Sequence, residues 1–159
     1  ALLDEAALIS CMAYVDLNPV RANICKSLEK SEFTSIQERL QRYESRGKES
    51  KETSCLRPFA GEESSRTKSR LPLRQTDYFR LVDWTGQAIR DEKHGAIPTN
   101  IQPILQELGV RQENWVTSTR YFGNRFYRAL GRINQIRRLA LLSGQQWVNG
   151  MYQASNFYQ

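Results

Sequence analysis

The sequence predicts a mainly α-helical chain, in which a tyrosine-bearing helix with its packing helix and a C-terminal helical domain flank a flexible linker. Two observations predict this fold class. Apolar residues recur at the period of an α-helix through most of residues 5–43 and again after residue 76. Residues 46–75 are instead rich in Ser, Gly, Lys, Arg and Glu, a composition that favours a flexible segment over a packed one. The domains are therefore predicted at 1–45, 46–75 and 76–159.

The first predicted helix runs over residues 5–17. Asp4 is suited to cap it, because its carboxylate accepts a hydrogen bond from a free backbone N–H of the first turn. Pro19 ends the helix, since proline disfavours helical geometry in the residue before it. The apolar surface of this helix is predicted to comprise Leu8, Ile9, Cys11, Met12 and Val15.

Tyr14 and Asn18 stand four positions apart at the end of this helix. Residues at that spacing lie side by side on one helix face, so the phenol and the amide are predicted to address the same small volume. Asp16 and Arg21 are predicted to bring charge to its rim, with Arg21 either neutralising a phosphate or pairing with Asp16. On the residues alone, a core tyrosine in a buried amphipathic helix is the plainer interpretation.

The stretch from Tyr14 to Ala22, YVDLNPVRA, resembles the tyrosine helix of the single-tyrosine HUH transposases, and among them the relatives of the REP-associated tyrosine transposases. The resemblance implies that Tyr14 is the catalytic nucleophile, which attacks a phosphate of single-stranded DNA and forms a 5′-phosphotyrosine. It implies that Asn18 is a ligand of Mg²⁺ or Mn²⁺, together with two histidines of a His-hydrophobic-His motif. In the same interpretation Arg21 supports the phosphate.

The two histidines of that motif have no counterpart in this sequence, whose one histidine, His94, lies in an unrelated context. One amide cannot hold the metal, so the active site implied by the resemblance is incomplete. We therefore expect the C-terminal part of a transposase, with a remnant of the catalytic domain at 1–45 and further sequence before Ala1. Alone, this chain is expected neither to nick nor to join DNA. Asp16 stands where a related pattern has histidine, which leaves its role open.

A second helix is predicted over residues 33–43. Thr34 and Gln37 form the Thr-x-x-Gln pattern of a capping box. Arg39 and Arg42 are expected to face outward, because they fall between the apolar positions. The apolar stripe is expected to dock on the first helix and comprises Phe33, Ile36, Leu40 and Tyr43.

The linker at 46–75 is basic, with eight Lys and Arg against four Glu. It is interpreted either as a soluble tether or as a segment that follows a nucleic-acid backbone, and the tether is favoured. The basic residues that would follow the backbone are Lys48, Lys51, Arg66, Lys68, Arg70 and Arg74.

The C-terminal region is predicted to open with a helix over residues 76–93, capped by its first threonine. A short helix follows and ends at Gly109, a left-handed terminator. The pair formed by this short helix and the next has the outline of a helix-turn-helix, although an ordinary helical hairpin is favoured. A last helix over 133–142 is predicted to continue past Gly144 to Met151, with Trp147 packed.

The longest predicted helix, which follows Gly109, carries the candidate DNA-binding face. Seven arginines at positions 111–138 are accompanied by one acidic residue, Glu113. Arginine suits phosphate contacts because its planar fork donates hydrogen bonds in pairs. One face of this helix, including Phe126, is predicted to build core, and Gly131 predicts a break. The opposite face is predicted to bind DNA, single-stranded or hairpin, through Tyr121, Arg125, Arg128 and Arg132, with the aromatic ring available for base stacking.

Composition narrows the class of protein. No run of about 18 apolar residues exists, so a transmembrane helix and a membrane partner are not expected. No signal peptide is recognisable, and the chain is expected to be cytoplasmic. The cysteines, at positions 11, 25 and 55, lack the spacing of a zinc site or a disulfide framework and are expected to be reduced.

Three functions are compatible with these patterns. The first is a fragment of a DNA transposase that cleaves and joins single-stranded DNA through Tyr14, inactive alone. The second is a helical DNA-binding module without catalysis. The third is a structural accessory module that packs against a missing catalytic region or forms a homodimer.

Overall fold

The computed structural model describes residues 1–25, 27–32, 34–45, 56–62, 69–90, 97–125, 128–146 and 148–159. These residues form helices, joined by irregular segments with isolated bridges, so the predicted mainly α fold class is confirmed. The helices are α1 (Glu5–Asp16), α2 (Asn18–Arg21), α3 (Ser35–Glu44), α4 (Gln75–Arg90), α5 (Gln102–Glu107), α6 (Gln112–Arg120), α7 (Phe122–Arg125), α8 (Ile133–Leu142) and α9 (Met151–Phe157). None of the helices in these ranges has the length and apolar character needed to cross a membrane.

Several residues singled out in the sequence lie outside the described ranges. They are Phe33, Cys55, His94, Phe126, Trp147 and the linker residues Lys48, Lys51, Arg66 and Lys68.

The chain divides into two compact units. The first, called the terminal unit, comprises Ala1–Tyr14 and Glu92–Gln159, and the second, called the central unit, comprises Val15–Asp91. This division differs from the three predicted segments, because residues of the predicted linker and of α4 belong to the same unit as α3.

Asp4 joins three distant parts of the terminal unit. Its Oδ1 accepts a hydrogen bond from the backbone N–H of Ala7 at 2.8 Å, which confirms the predicted cap of α1. The same oxygen accepts from the hydroxyl of Tyr158 at 2.6 Å, and Oδ2 accepts from the backbone N–H of Arg132 at 2.9 Å. Burial and the bond to Asp4 raise the pKa of Tyr158, so its hydroxyl stays protonated and donates.

The N-terminal residues pack beside the segment that precedes α8. The backbone N–H of Leu3 donates to the carbonyl of Leu130 at 2.8 Å, and Leu130 donates to the carbonyl of Ala1 at 2.9 Å. A Cβ added to Gly131 would lie 2.6 Å from Cβ of Leu3, a separation too short for two carbons. Glycine is therefore required here by close approach. The start of α8 at Ile133 agrees with the predicted last helix, whereas the helix that Gly131 is predicted to break does not extend to it, because residues 128–132 are not helical.

Asp16 organises the central unit from the last position of α1. It is fully buried, and its Oδ2 accepts a hydrogen bond from the hydroxyl of Tyr78 in α4 at 2.6 Å. Its Oδ1 accepts from the hydroxyl of Ser35 at 2.8 Å and from the backbone N–H of Ile36 at 3.2 Å. The carboxylate thus joins the end of α1 to the start of α3 and to α4.

Parts of the predicted linker are folded into the central unit. Phe59 is fully buried and forms an isolated bridge with Leu71, and its ring centroid lies 5.2 Å from that of Tyr78. Leu73 is also buried and its carbonyl accepts from the N–H of Ala60 at 3.0 Å. A few large apolar side chains within a polar stretch are enough to dock residues 56–62 and 69–75.

Docking of this segment corrects the prediction that Arg39 faces outward. Arg39 is 6% exposed, because the guanidinium carbon lies 4.5 Å from the centroid of the Phe59 ring. Its Nη2 donates to the carbonyl of Arg57 at 3.0 Å. The helix itself begins as predicted, since the hydroxyl of Thr34 accepts from the backbone N–H of Gln37 at 3.4 Å.

The buried face of α1 includes the predicted Ile9 but otherwise consists mainly of small residues that were not predicted. Val15 is 53% exposed, and Leu8, Cys11 and Met12 are half-buried. The fully or almost fully buried residues of α1 are Ala6, Ala7, Ile9, Ser10, Ala13 and Asp16. Short side chains let neighbouring backbone approach this face closely, which hydrophobic periodicity does not reveal.

The helix boundaries of the C-terminal half follow its glycines. Gly109 has a φ of 65°, as its predicted role as terminator requires, and α8 occupies the predicted range. The predicted continuation past Gly144 is wrong, because Gly144 (φ 66°) and Gly150 (φ 104°) both adopt left-handed backbone. The chain therefore turns, and α9 begins only at Met151.

We expect Tyr78→Phe to lower the free energy of unfolding by about 1.5–3 kcal/mol, the usual contribution of a hydrogen bond to a charged group. The substitution removes the donor to Asp16 Oδ2 in a fully buried site. Tyr152→Phe is the matched control, because Tyr152 is 73% exposed, and it should change stability by less than about 0.5 kcal/mol. Urea unfolding followed by circular dichroism measures both, and equal losses would contradict the role given to the phenol.

Candidate functional site

Tyr14 lies against helix α7 within the terminal unit. Its ring packs on that of Phe122, with the centroids 5.4 Å apart and the planes inclined by 32°. A Cβ added to Gly123 would lie 3.0 Å from the Tyr14 hydroxyl oxygen. Gly123 and Asn124 are both exposed, whereas Tyr14 is half-buried. The phenol is therefore held by its ring, with its hydroxyl next to an exposed stretch of backbone.

Basic side chains precede and follow α7. Arg120 ends α6, and its guanidinium carbon lies 5.6 Å from the centroid of the Tyr121 ring. Arg128 is exposed and its Nη1 donates to Oε1 of Gln145 at 3.4 Å. The fold thus brings the tyrosine near the start of the chain to the arginine-rich segment near its end. Helical periodicity contained no signal of this proximity.

The four residues of the predicted DNA-binding face lie on separate elements. Tyr121 lies in the turn between α6 and α7 and is 44% exposed, and Arg125 ends α7. Arg128 lies in a bend, and Arg132 directly precedes α8. The prediction of one long helix is wrong, because Tyr121 leaves helical backbone (φ −110°, ψ 25°) between α6 and α7, and α7 ends at Arg125. The side chain of Arg125 is outside the described part of the structure.

Arg132 is exposed, but its side chain also packs on the C-terminal residues. Its guanidinium carbon lies 5.8 Å from the centroid of the Tyr158 ring, and a Cβ added to Gly109 would lie 2.7 Å from its Nη2. Arg111 also holds this region, since its Nε donates to the carbonyl of Tyr158 at 2.8 Å. Of the four residues of the predicted face, Tyr121 and Arg128 have exposed side chains that remain at the surface. Tyr121 precedes α7 in the sequence, and Arg128 follows it.

Asn18 occupies a different element from the tyrosine. It is exposed and begins α2 of the central unit, whereas Tyr14 belongs to the terminal unit. The predicted shared helix face is therefore interrupted, because α1 ends at Asp16 and Pro19 falls in the first turn of α2, where its missing N–H has no cost. The prediction that Asp16 lies at the rim of the site is wrong, since its carboxylate is buried among donors of α3 and α4.

The surroundings of Asn18 do not fit the metal that the resemblance implies. The Oδ1 of Asn18 accepts from Nη1 of Arg21 at 3.4 Å, so a cationic side chain stands at the oxygen that would bind Mg²⁺ or Mn²⁺. Within the described ranges, no three His, Cys, Asp or Glu side chains are grouped closely enough to hold a metal ion.

No family model, no curated protein and no solved structure matches this chain. The resemblance to tyrosine transposases therefore rests on the residues that carry it, above all those at 14–22.

The burial of Asp16 predicts a specific dependence of stability on pH. Burial raises the pKa of the Asp16 carboxyl above its ordinary value of 3.8, opposed by the hydrogen bonds from Tyr78 and Ser35. The folded state then holds this proton more tightly than the unfolded state, so the contribution of Asp16 to stability falls as pH rises from 3.8 through the folded pKa. Asp16→Asn has no titratable carboxyl group at this position, so this variant serves as the reference protein.

Urea unfolding of the wild type and of Asp16→Asn at a series of pH values isolates this contribution, because the other carboxyl groups titrate in both proteins. We expect the difference in unfolding free energy, wild type minus variant, to decrease with rising pH. If the difference in unfolding free energy instead increases with pH, the hydrogen bonds to Asp16 lower its pKa more than burial raises it.

Proposed function

We propose that this chain is part of a DNA transposase that binds single-stranded or hairpin DNA through its terminal unit and presents Tyr14 to a phosphate. One observation carries the proposal. The hydroxyl of Tyr14 lies beside the exposed backbone of α7, and Arg120 and Arg128 stand before and after this helix. A tyrosine hydroxyl packed on an arginine-rich segment suits a phosphodiester, since arginine pairs with phosphate oxygens through two hydrogen bonds.

DNA binding by this unit rests on charge and on an available ring. The seven arginines of residues 111–138 are accompanied only by Glu113 among acidic residues, and phosphate neutralisation supplies most non-specific affinity for DNA. Tyr121, which is half-exposed and has Arg120 over its ring, offers a surface on which an unpaired base stacks. Bases are accessible in this way in single strands and hairpin loops.

The proposed chemistry is transfer of a phosphodiester to Tyr14. The phenolic oxygen forms a bond to phosphorus, and the bond from phosphorus to the 3′ oxygen of the preceding nucleotide breaks. The phenol gives its proton to solvent, and the released 3′ oxygen takes up a proton to become a hydroxyl. The product is a 5′-phosphotyrosine together with a free 3′ end.

Activation of the Tyr14 hydroxyl is the step that the resemblance assigns to groups not present in this sequence. A tyrosine hydroxyl is a weak nucleophile unless a base or a metal assists it. The resemblance assigns this assistance to a metal held by two histidines, and the sequence contains one histidine in all. We therefore propose that the chain depends on another polypeptide segment for catalysis.

A DNA-binding module without catalysis is the second candidate function. It is favoured by the environment of Asn18, whose Oδ1 accepts a hydrogen bond from Arg21. In this case the arginines act as proposed, and Tyr14 serves as a packing residue on Phe122.

We expect no covalent adduct when the chain is incubated with labelled single-stranded DNA and Mg²⁺ or Mn²⁺, because the activating histidines are absent. Denaturing gel electrophoresis of wild type and Tyr14→Phe measures this directly. A slowly migrating species that requires metal and disappears in Tyr14→Phe would refute the expected inactivity and establish Tyr14 as nucleophile.

We expect Arg125→Ala combined with Arg128→Ala to weaken binding to a single-stranded oligonucleotide. Loss of two phosphate contacts should reduce the slope of log K against log salt concentration by about 1.4. Fluorescence anisotropy of a labelled oligonucleotide over a range of salt concentrations measures both affinity and slope.

The matched control is Arg42→Ala combined with Arg80→Ala, which removes the same charge from the central unit. These two arginines form surface ion pairs with Glu38 at 3.1 Å and Asp77 at 3.4 Å. The control should retain the slope of the wild type. Equal affinity of both double variants and the wild type would show that the terminal unit does not hold DNA through these arginines.

A further inference from the structure

The backbone conformation at Gly123 is one that residues with a side chain can also adopt. Its φ lies outside the left-handed region that Gly109, Gly144 and Gly150 adopt, and it occupies the second position of helix α7. Glycine is unfavourable in a helix relative to alanine, because it loses more backbone entropy on folding. Its presence therefore needs a reason other than conformation.

The reason in the structure is the hydroxyl of Tyr14. A Cβ at position 123 would lie 3.0 Å from that oxygen and 3.7 Å from the adjoining ring carbon Cζ. The ring packs on the buried Phe122, which directly precedes Gly123 in the same helix. Any side chain at position 123 would push on the hydroxyl.

We propose that Gly123 is the positioning residue of Tyr14, and that the bare backbone at this residue is the side from which a phosphodiester reaches the hydroxyl. The inference rests on the proposed function for the identity of the ligand. Gly123 is exposed and Tyr14 is half-buried, so the contact between them lies at the edge of the folded unit. In sequence, Arg120 and Tyr121 directly precede α7, and the guanidinium of Arg120 lies over the half-exposed Tyr121 ring. Such a pair suits an anionic ligand with an attached base.

Acetylation of tyrosine hydroxyls by N-acetylimidazole, resolved by residue with mass spectrometry, tests this approach to the hydroxyl without DNA. In Gly123→Val the branched side chain covers the hydroxyl, and we expect Tyr14 to react about tenfold more slowly, whereas Gly123→Ala should slow it less. Asn124→Ala, one position along, is the control and should leave the rate unchanged. Tyr152 is 73% exposed and serves as internal reference in every variant.

The ratio of the Tyr14 rate to the Tyr152 rate separates positioning from a merely structural role. A structural role of Gly123 changes the unfolding transition and leaves this ratio unmoved. An unchanged ratio in Gly123→Ala and Gly123→Val, or an equal decrease in Asn124→Ala, would overturn the inference. If Gly123→Val is unfolded, the ratio in Gly123→Ala decides, because alanine is compatible with helix α7.

Addition of a single-stranded oligonucleotide distinguishes this inference from the proposed function. In the wild type, bound DNA should protect Tyr14 from acetylation and leave Tyr152 reactive. If fluorescence anisotropy shows that DNA binds but Tyr14 is still acetylated at the same rate, the proposed approach of the phosphodiester across Gly123 would be overturned. Absence of any DNA binding would instead overturn the proposed function, and the experiment without DNA would still report whether Gly123 controls the hydroxyl.

Discussion

A hydrogen bond between a carboxylate and a tyrosine hydroxyl, at each end of α1, underlies both compact units. Asp4 accepts from Tyr158 in the terminal unit, and Asp16 accepts from Tyr78 in the central unit, each at 2.6 Å. A carboxylate removed from water is costly unless its oxygens are satisfied. Each of the two therefore also accepts backbone N–H groups, which fixes the start of a helix beside it. The two ends of α1 thus each carry an anchoring carboxylate, Asp4 for the terminal unit and Asp16 for the central unit. Tyr14 lies between Asp4 and Asp16 in the sequence.

Much of the local structure follows from short-range patterns. The caps at Asp4 and Thr34, the terminator Gly109 and the range of α8 all express rules that operate within a few residues. The errors share another cause. Arg39 is buried because residues 56–62, distant in sequence, cover it. The composition of that segment indicated only its average polarity. It did not indicate the packing of Phe59, although one large buried ring can dock a polar loop.

The candidate site was predictable only in part. The spacing of Tyr14 and Asn18 drew attention to α1, but the side chains around Tyr14 come from α7, and their proximity depends on the tertiary fold. Gly123 offered one signal in the sequence, a glycine inside a helical pattern, which indicates a close approach when no turn requires it. The partner in that approach, a phenol from the opposite end of the chain, is information that only the folded terminal unit contains.

The division into units also has a consequence for the order in which they are completed during synthesis. The central unit is one uninterrupted stretch, Val15–Asp91, whereas the terminal unit combines Ala1–Tyr14 with residues 92–159. Contacts between residues so far apart close late, because the ribosome must first deliver the distal partner. Tyr14 therefore leaves the ribosome long before Phe122 and Gly123 exist to receive it. The surroundings of the proposed nucleophile therefore form only after residues 122 and 123 have been synthesised, more than a hundred residues after Tyr14 itself.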